Sequence, residues 1–218
     1  MSSITSDLRL YNPWTDELTE MSIAMYGIYE PTSEMILSMS VEALNDNWSK
    51  IGKMDVGRDK LDIYRSKGVG REFLAGRIMK SDNSKESFEI NLRANTSIRK
   101  SIQHEFKYKY PVINMDLIEV SKTRRGMGIG TKFYMFIAQT LNINVMCDRE
   151  QYFLARKLWT KLSLSKLVNM DLIDIDAGEV IEKNIILDPH GPDDMDFDER
   201  VWDYTDAKED LRLIIKCK

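Results

Sequence analysis

The sequence predicts a mixed α+β fold, a largely antiparallel sheet with helices packed against it. Three observations lead there. Short runs of alternating apolar residues are interleaved with runs whose apolar residues recur at helical spacing. Arg71 to Lys80 and Ser87 to Ala94 read as an antiparallel strand pair joined by the turn Ser81-Asp82-Asn83-Ser84. Val112 to Val120 reads as a strand that runs through a glycine-rich turn into a helical pattern, Thr131 to Leu141. The 218 residues, 43% hydrophobic and 30% charged, suit a single soluble domain spanning 1–218.

From the start, Asp7 to Asn12 alternates as a first strand would, and Pro13 ends it. A helical part follows over about 13–50. Thr15 or Asp16 caps a helix carrying Leu18, Met21, Met25 and Ile28 on one face. Thr32 or Ser33 caps a second, with Ile36, Met39, Ala43, Leu44 and Trp48 inward. Gly52 to Gly70 is charged and reads as strand or loop. In Ser87 to Ala94, Phe88, Ile90, Leu92 and Ala94 oppose Glu89, Asn91 and Arg93, so one face is buried and the other wet. Ile98, Ile102 and Phe106 mark a short helix. After Leu141 come a strand (Asn142 to Cys147), a helix (Glu150 to Leu164) and two last strands (Leu167 to Ile175 and Leu211 to Cys217). Between those strands, about 188–210 is an acidic insertion. Its Asp193-Asp194-Met195-Asp196-Phe197-Asp198 alternates acids but lacks the glycine and final glutamate of a calcium loop, so no metal is expected.

Composition narrows the function classes. A net charge of −4 disfavours a general nucleic-acid binder. No apolar run is long enough for a membrane span, and the first residues lack the basic and apolar regions of a signal peptide. Cys147 and Cys217 have no metal spacing, which suits a reducing cytoplasm.

The chemistry concentrates at Pro111 to Lys132. Glycines at 126, 128 and 130 allow a sharp turn, and the unpaired amides opening the helix can hold a phosphate. A Walker loop is excluded because Thr131 separates Gly130 from Lys132. A dinucleotide fingerprint fits poorly, since five residues part Val120 from Gly126, although Asp148 ends the next strand. Ile118-Glu119-Val120, four spacers and then Arg125-Gly126-Met127-Gly128-Ile129-Gly130 resemble the acetyl-CoA-binding signature of the GNAT acetyltransferases.

That resemblance implies an α/β three-layer fold with a mixed, mostly antiparallel sheet splayed between two central strands. The element order read above runs nearly end to end with the family's; the helix near Ile98 to Phe106 departs from it. The resemblance further implies an acetyl-CoA-dependent N-acetyltransferase, with an amine of a small molecule or protein as acceptor. Backbone from Arg125, Gly126, Met127, Gly128, Ile129 and Gly130 would wrap the diphosphate, with charge from Arg125, Arg124 or Lys132. The Val120 N–H would polarise the thioester, and Ile118 would meet the pantetheine amide. The family's glutamate base falls on Asn114, which cannot take a proton; Asp116 is the nearest replacement, His104 a weaker one, and Glu119 points away. The family's tyrosine acid, in the frame A-x-x-L-Y, falls on Trp159, and Tyr152 is the substitute. The departures at Asn114 and Trp159 leave an alternative: a catalytically silent protein serving as a binding or structural part of an assembly, with a second copy or another chain as partner.

Overall fold

In the computed structural model, which describes residues 38–68, 70–80, 85–148, 153–188, 201 and 210–216, strand β1 (Ser38–Ser40) turns at once into helix α1 (Val41–Asn47). Ser40 Oγ makes that switch by accepting the Ala43 N–H at 3.1 Å. β2 (Trp48–Val56) and β3 (Asp59–Ser66) form a hairpin. β4 (Glu72–Lys80) and the long β5 (Glu86–Ile98) follow, and α2 (Lys100–Glu105) leads to β6 (Val112–Val120). A 3-10 turn (Lys122–Arg124) precedes α3 (Ile129–Thr140), β7 (Asn144–Met146) and α4 (Phe153–Ser163). β8 (Asn169–Asp174), β9 (Glu179–Glu182) and β10 (Leu211–Lys216) complete the described elements.

The ten strands form one sheet in the order β2-β3-β4-β5-β6-β7-β10-β8-β9, with β1 added beside β5. Among these pairings only β6 with β7 is parallel. The main core lies under α3 and α4, where Phe133, Ile137, Trp159 and Leu162 close over Ile63, Phe73, Leu92, Val145 and Leu213. Two smaller clusters hold the other face, Leu44 of α1 with Tyr64, Leu74 and Phe88, and Ile102 of α2 with Val112, Met146 and Ile214.

The GNAT-like three-layer α/β expectation is overturned. The sheet dominates, with 47% strand against 25% helix and four helices among the described residues. One cause is the hairpin β2–β3, hidden in the sequence by its charges. On its outer face Lys50 and Lys53 pair across the strands with Asp62, at 2.7 and 3.7 Å, so the charges belong to a strand and not to a loop. Another is the expected second helix, whose middle is strand β1, leaving α1 seven residues long. The expected strand Asp7 to Asn12, the first helix and most of the acidic insertion lie outside the described residues.

Two β-bulges set which side chains face which way. Opposite Ala75 and Gly76, β5 carries one extra residue, Asn91; opposite Asn95 and Thr96, β6 carries one extra residue, Asp116. Each extra residue inverts the alternation beyond it. Phe88 and Ile90 therefore sit in one cluster while Leu92 and Ala94 sit in the main core, so the expected single wet face of this strand is replaced by burial on both sides. In β6, Val112 faces the α2 side while Ile118 and Val120 pack against the main core. The expectation that Val112, Asn114, Asp116, Ile118 and Val120 share a face is corrected accordingly.

Candidate functional site

β6 pairs with β7 at three positions only, Val112, Ile113 and Asn114 against Asn144, Val145 and Met146. Beyond Asn114 no described strand continues along that edge of β6. The opposite edge stays paired with β5, and the Ser121 N–H donates to the Asn91 carbonyl at 3.0 Å. Antiparallel alternation then sends the amides of Glu119 and Leu117 toward β5 and those of Ile118 and Val120 toward the edge that β7 has left. Two peptide groups at the end of β6 thus point away from β5, on the side where the pairing with β7 has ended.

The chain leaves that edge through the 3-10 turn and enters α3. Gly126 and Gly128 adopt φ of 75° and 76°, and an added Cβ at either would meet nothing within 4 Å. The left-handed backbone explains glycine here, and the space above it is open. Gly128 caps α3 without a side-chain hydrogen bond, so the helix begins with amides that no capping side chain takes up. Arg125 and Met127 are exposed, and Arg125 Nε donates to the Val120 carbonyl at 3.2 Å, folding the arginine back over the loop. Ile129 and Gly130 behave differently. Ile129 is buried in the core, and a Cβ on Gly130 would stand 3.0 Å from Leu158 Cδ1 and 3.9 Å from Ile118 Cδ1. Gly130 therefore serves the packing of α3 on α4 and β6, and only the backbone of these two residues is available to a ligand.

Asp116 lies on the α2 side of β6. Its Oδ1 accepts from Ser97 Oγ at 2.8 Å and from Asn114 Nδ2 at 2.7 Å, and Asn114 Nδ2 also reaches Asp148 Oδ1 at 3.3 Å. Asn114 is buried, so its amide links two carboxylates at the point where β6 and β7 part. His104 is exposed at the end of α2. Tyr152 lies outside the described residues. Trp159 is fully buried, edge-on to Tyr134 with ring centroids 5.3 Å apart, and is a core residue. Burial raises the Tyr134 hydroxyl far above its ordinary range, with Cys147 and Asp148 adding to the effect.

The other wall of the loop is built from residues far apart in the chain. Arg124 Nη1 stands 3.2 Å from Asp59 Oδ2, and its Nη2 is 3.7 Å from Glu89 Oε1. Arg77 Nε donates to Glu89 Oε2 at 2.7 Å, and its Nη1 is 3.7 Å from Asp59 Oδ1. Asn91 Nδ2 adds a hydrogen bond to Glu89 Oε1 at 3.2 Å. Burial alone would push the Glu89 carboxyl up, but Arg77, Asn91 and Arg124 outweigh it and hold it below the ordinary glutamate range. Asn91 Oδ1 and Ser121 Oγ are buried without a hydrogen-bond partner among the described residues. A shallow surface dimple with no room for a bound molecule lies here between Asp59, Leu61, Asn91, Arg124, Met127 and Ile129. The sequence carries no local signal for this cluster, because Asp59, Arg77, Glu89 and Arg124 come from four separate segments.

In comparisons with family models, curated proteins and solved structures, nothing matches this chain. Among the described residues no helix is long and apolar enough to cross a membrane.

Proposed function

We propose that this chain is an acetyl-CoA-dependent N-acetyltransferase acting on an amine of a small molecule or a protein. One observation carries the reading: β6 loses its β7 partner after Asn114, and its two outward amides lead directly into an open glycine loop at an uncapped helix N-terminus. The resemblance that supports it is to the loop and its strand, not to the layer architecture.

In this reading the loop amides from Arg125 to Gly130 hold the diphosphate, with Arg125 supplying charge. The Ile118 and Val120 peptide groups take the extended arm of the cofactor. The Val120 N–H donates to the thioester carbonyl, an interaction of roughly 3 kcal/mol at comparable acyl-transfer sites. An amine near pKa 10.4 is neutral only about once in a few thousand molecules at pH 7, so it needs a group to take its proton. Asp116, oriented by Ser97 and Asn114, is that group. It faces the α2 side of the sheet while α3 lies on the other, so amine and cofactor approach the strand separation from opposite faces. Once Asp116 has taken the ammonium proton, the neutral nitrogen bonds to the acyl carbon, the carbon–sulfur bond breaks, and the second proton that the nitrogen sheds goes to the released thiolate, which near pKa 8.5 departs without an obligatory acid.

A second reading, a catalytically silent chain serving as a binding or structural part of an assembly, is favoured by Trp159, which is core where the resemblance has its acid. Calorimetric titration with acetyl-CoA followed by mass spectrometry of a panel of amines separates the two. Binding with acetylated product supports the enzyme, binding without product supports the silent chain, and no binding at millimolar cofactor removes the enzyme.

A further inference from the structure

The glycine loop has little packing of its own. An added Cβ at Gly126 or Gly128 would touch nothing, and the side chains of Arg125 and Met127 are exposed. Two left-handed glycines also make the segment soft. Apart from the Arg125 hydrogen bond to the Val120 carbonyl, its position comes from what flanks it. At one end Ser121 is bonded to the bulge residue Asn91, and at the other α3 is packed into the core. Between them stands Arg124, in a closed ring of four charges: Asp59 of β3, Arg124, Glu89 of β5 and Arg77 of β4. Two positive and two negative groups alternate around the ring, so the charge of Arg124 is matched before any ligand arrives. Asn91 joins the ring to the loop a second time, donating to Glu89 through its side chain and accepting from Ser121 through its backbone.

We propose that this ring is a clamp that fixes the glycine loop for its ligand, with Arg124 as a positioning residue and Arg125 as the arginine that meets the anion. The proposal rests on the acetyl-CoA reading for its ligand, but not for its structural claim. It makes a prediction of sign that plain electrostatics reverses. Removing a carboxylate near a bound diphosphate should tighten an anion by relieving repulsion. If Asp59 and Glu89 act by holding Arg124 in place, removing either charge weakens binding, because the loop must then be ordered by the ligand.

The test uses the full chain and coenzyme A as the probe, with titration calorimetry and amide hydrogen exchange on the free protein. Asp59→Asn, Glu89→Gln and Arg124→Gln should each weaken coenzyme A by about tenfold. The double variant Asp59→Asn/Arg124→Gln should be no weaker than Arg124→Gln alone. Exchange at residues 125–130 should quicken in all three while the amides of Leu61 to Ile63 keep their protection. Arg124→Lys should restore part of the affinity, and Arg125→Gln should weaken binding without changing loop exchange. Tighter binding by Asp59→Asn, additive losses, or unchanged loop exchange in Arg124→Gln would overturn the clamp, as would loss of protection throughout β3 to β5. If the unaltered chain does not bind coenzyme A, the acetyl-CoA reading fails, and the exchange measurement still decides whether the ring orders the loop.

Discussion

Gly128 is the loop residue whose lack of a side chain matters most. Its φ of 76° is costly for any residue with a Cβ, on the order of 1–2 kcal/mol, and its open upper side is where a diphosphate would lie. Gly128→Val is expected to abolish acetyl-CoA binding while lowering the melting temperature by only a few degrees, read by calorimetry beside a thermal melt. Asp116→Asn keeps the shape of the carboxylate and removes its basicity. The turnover rate is expected to fall roughly 10²-fold or more with KM for acetyl-CoA unchanged, and an unchanged rate would remove Asp116 from the mechanism. The strand, turn and helix around the loop were legible in the sequence because their pattern is local: glycines at alternate places, an arginine, and an apolar run before them. The setting of Asp116 was not. Its place depends on a bulge fixed by register against β5, and on Ser97, which is distant in the chain. Arg124, expected to lend charge to the diphosphate, is instead paired with Asp59 and Glu89, partners that no local pattern reveals because they come from other strands.

The elements carry most of the stability, and their boundaries show where local pattern suffices. β6 has the bounds its apolar run suggests. α3 starts at Ile129, before the expected Thr131, because Gly130 belongs to the packed helix and not to the loop. β7 is only Asn144–Met146, paired with β6 at three positions and with β10 at two. By resemblance Trp159 takes the place of the family's tyrosine acid, a role an indole does not fill, and packing makes it a core residue. Trp159→Ala is expected to cost about 3–5 kcal/mol, visible as a large drop in the denaturation midpoint. The end of β7 adds a pH dependence. Burial raises the Cys147 thiol to about 11, partly offset by the Leu213 N–H. The folded chain then keeps a proton that the unfolded chain releases near 8.5. The stability this contributes is whole below that pH and is lost as pH rises toward about 11. Thermal melts are expected to fall from about pH 9 upward, and less steeply in Cys147→Ala; parallel declines would show that the thiol is not responsible.

At the scale of the whole molecule, the sequence signalled a mixed sheet and a strand–turn–helix unit but not how far strand outweighs helix. Local periodicity distinguishes a wet strand from a helix; it does not reveal a charged edge hairpin such as β2–β3, nor a strand buried on both faces by a bulge, such as β5. The sheet nevertheless delivers the local unit to a consequential place. The parallel β6–β7 pair lies in mid-sheet, and beyond Asn114, where that pairing ends, β6 runs on toward the loop that the sequence singled out. The most direct test of the account is a titration of the isotope-labelled chain with acetyl-CoA, followed residue by residue through backbone amide resonances. The account predicts saturable shifts at Ile118, Val120 and the amides of 125–130, with a dissociation constant on the order of micromolar to tens of micromolar. Absence of saturable shifts up to millimolar acetyl-CoA, or shifts confined to residues away from β6 and the loop, would contradict it.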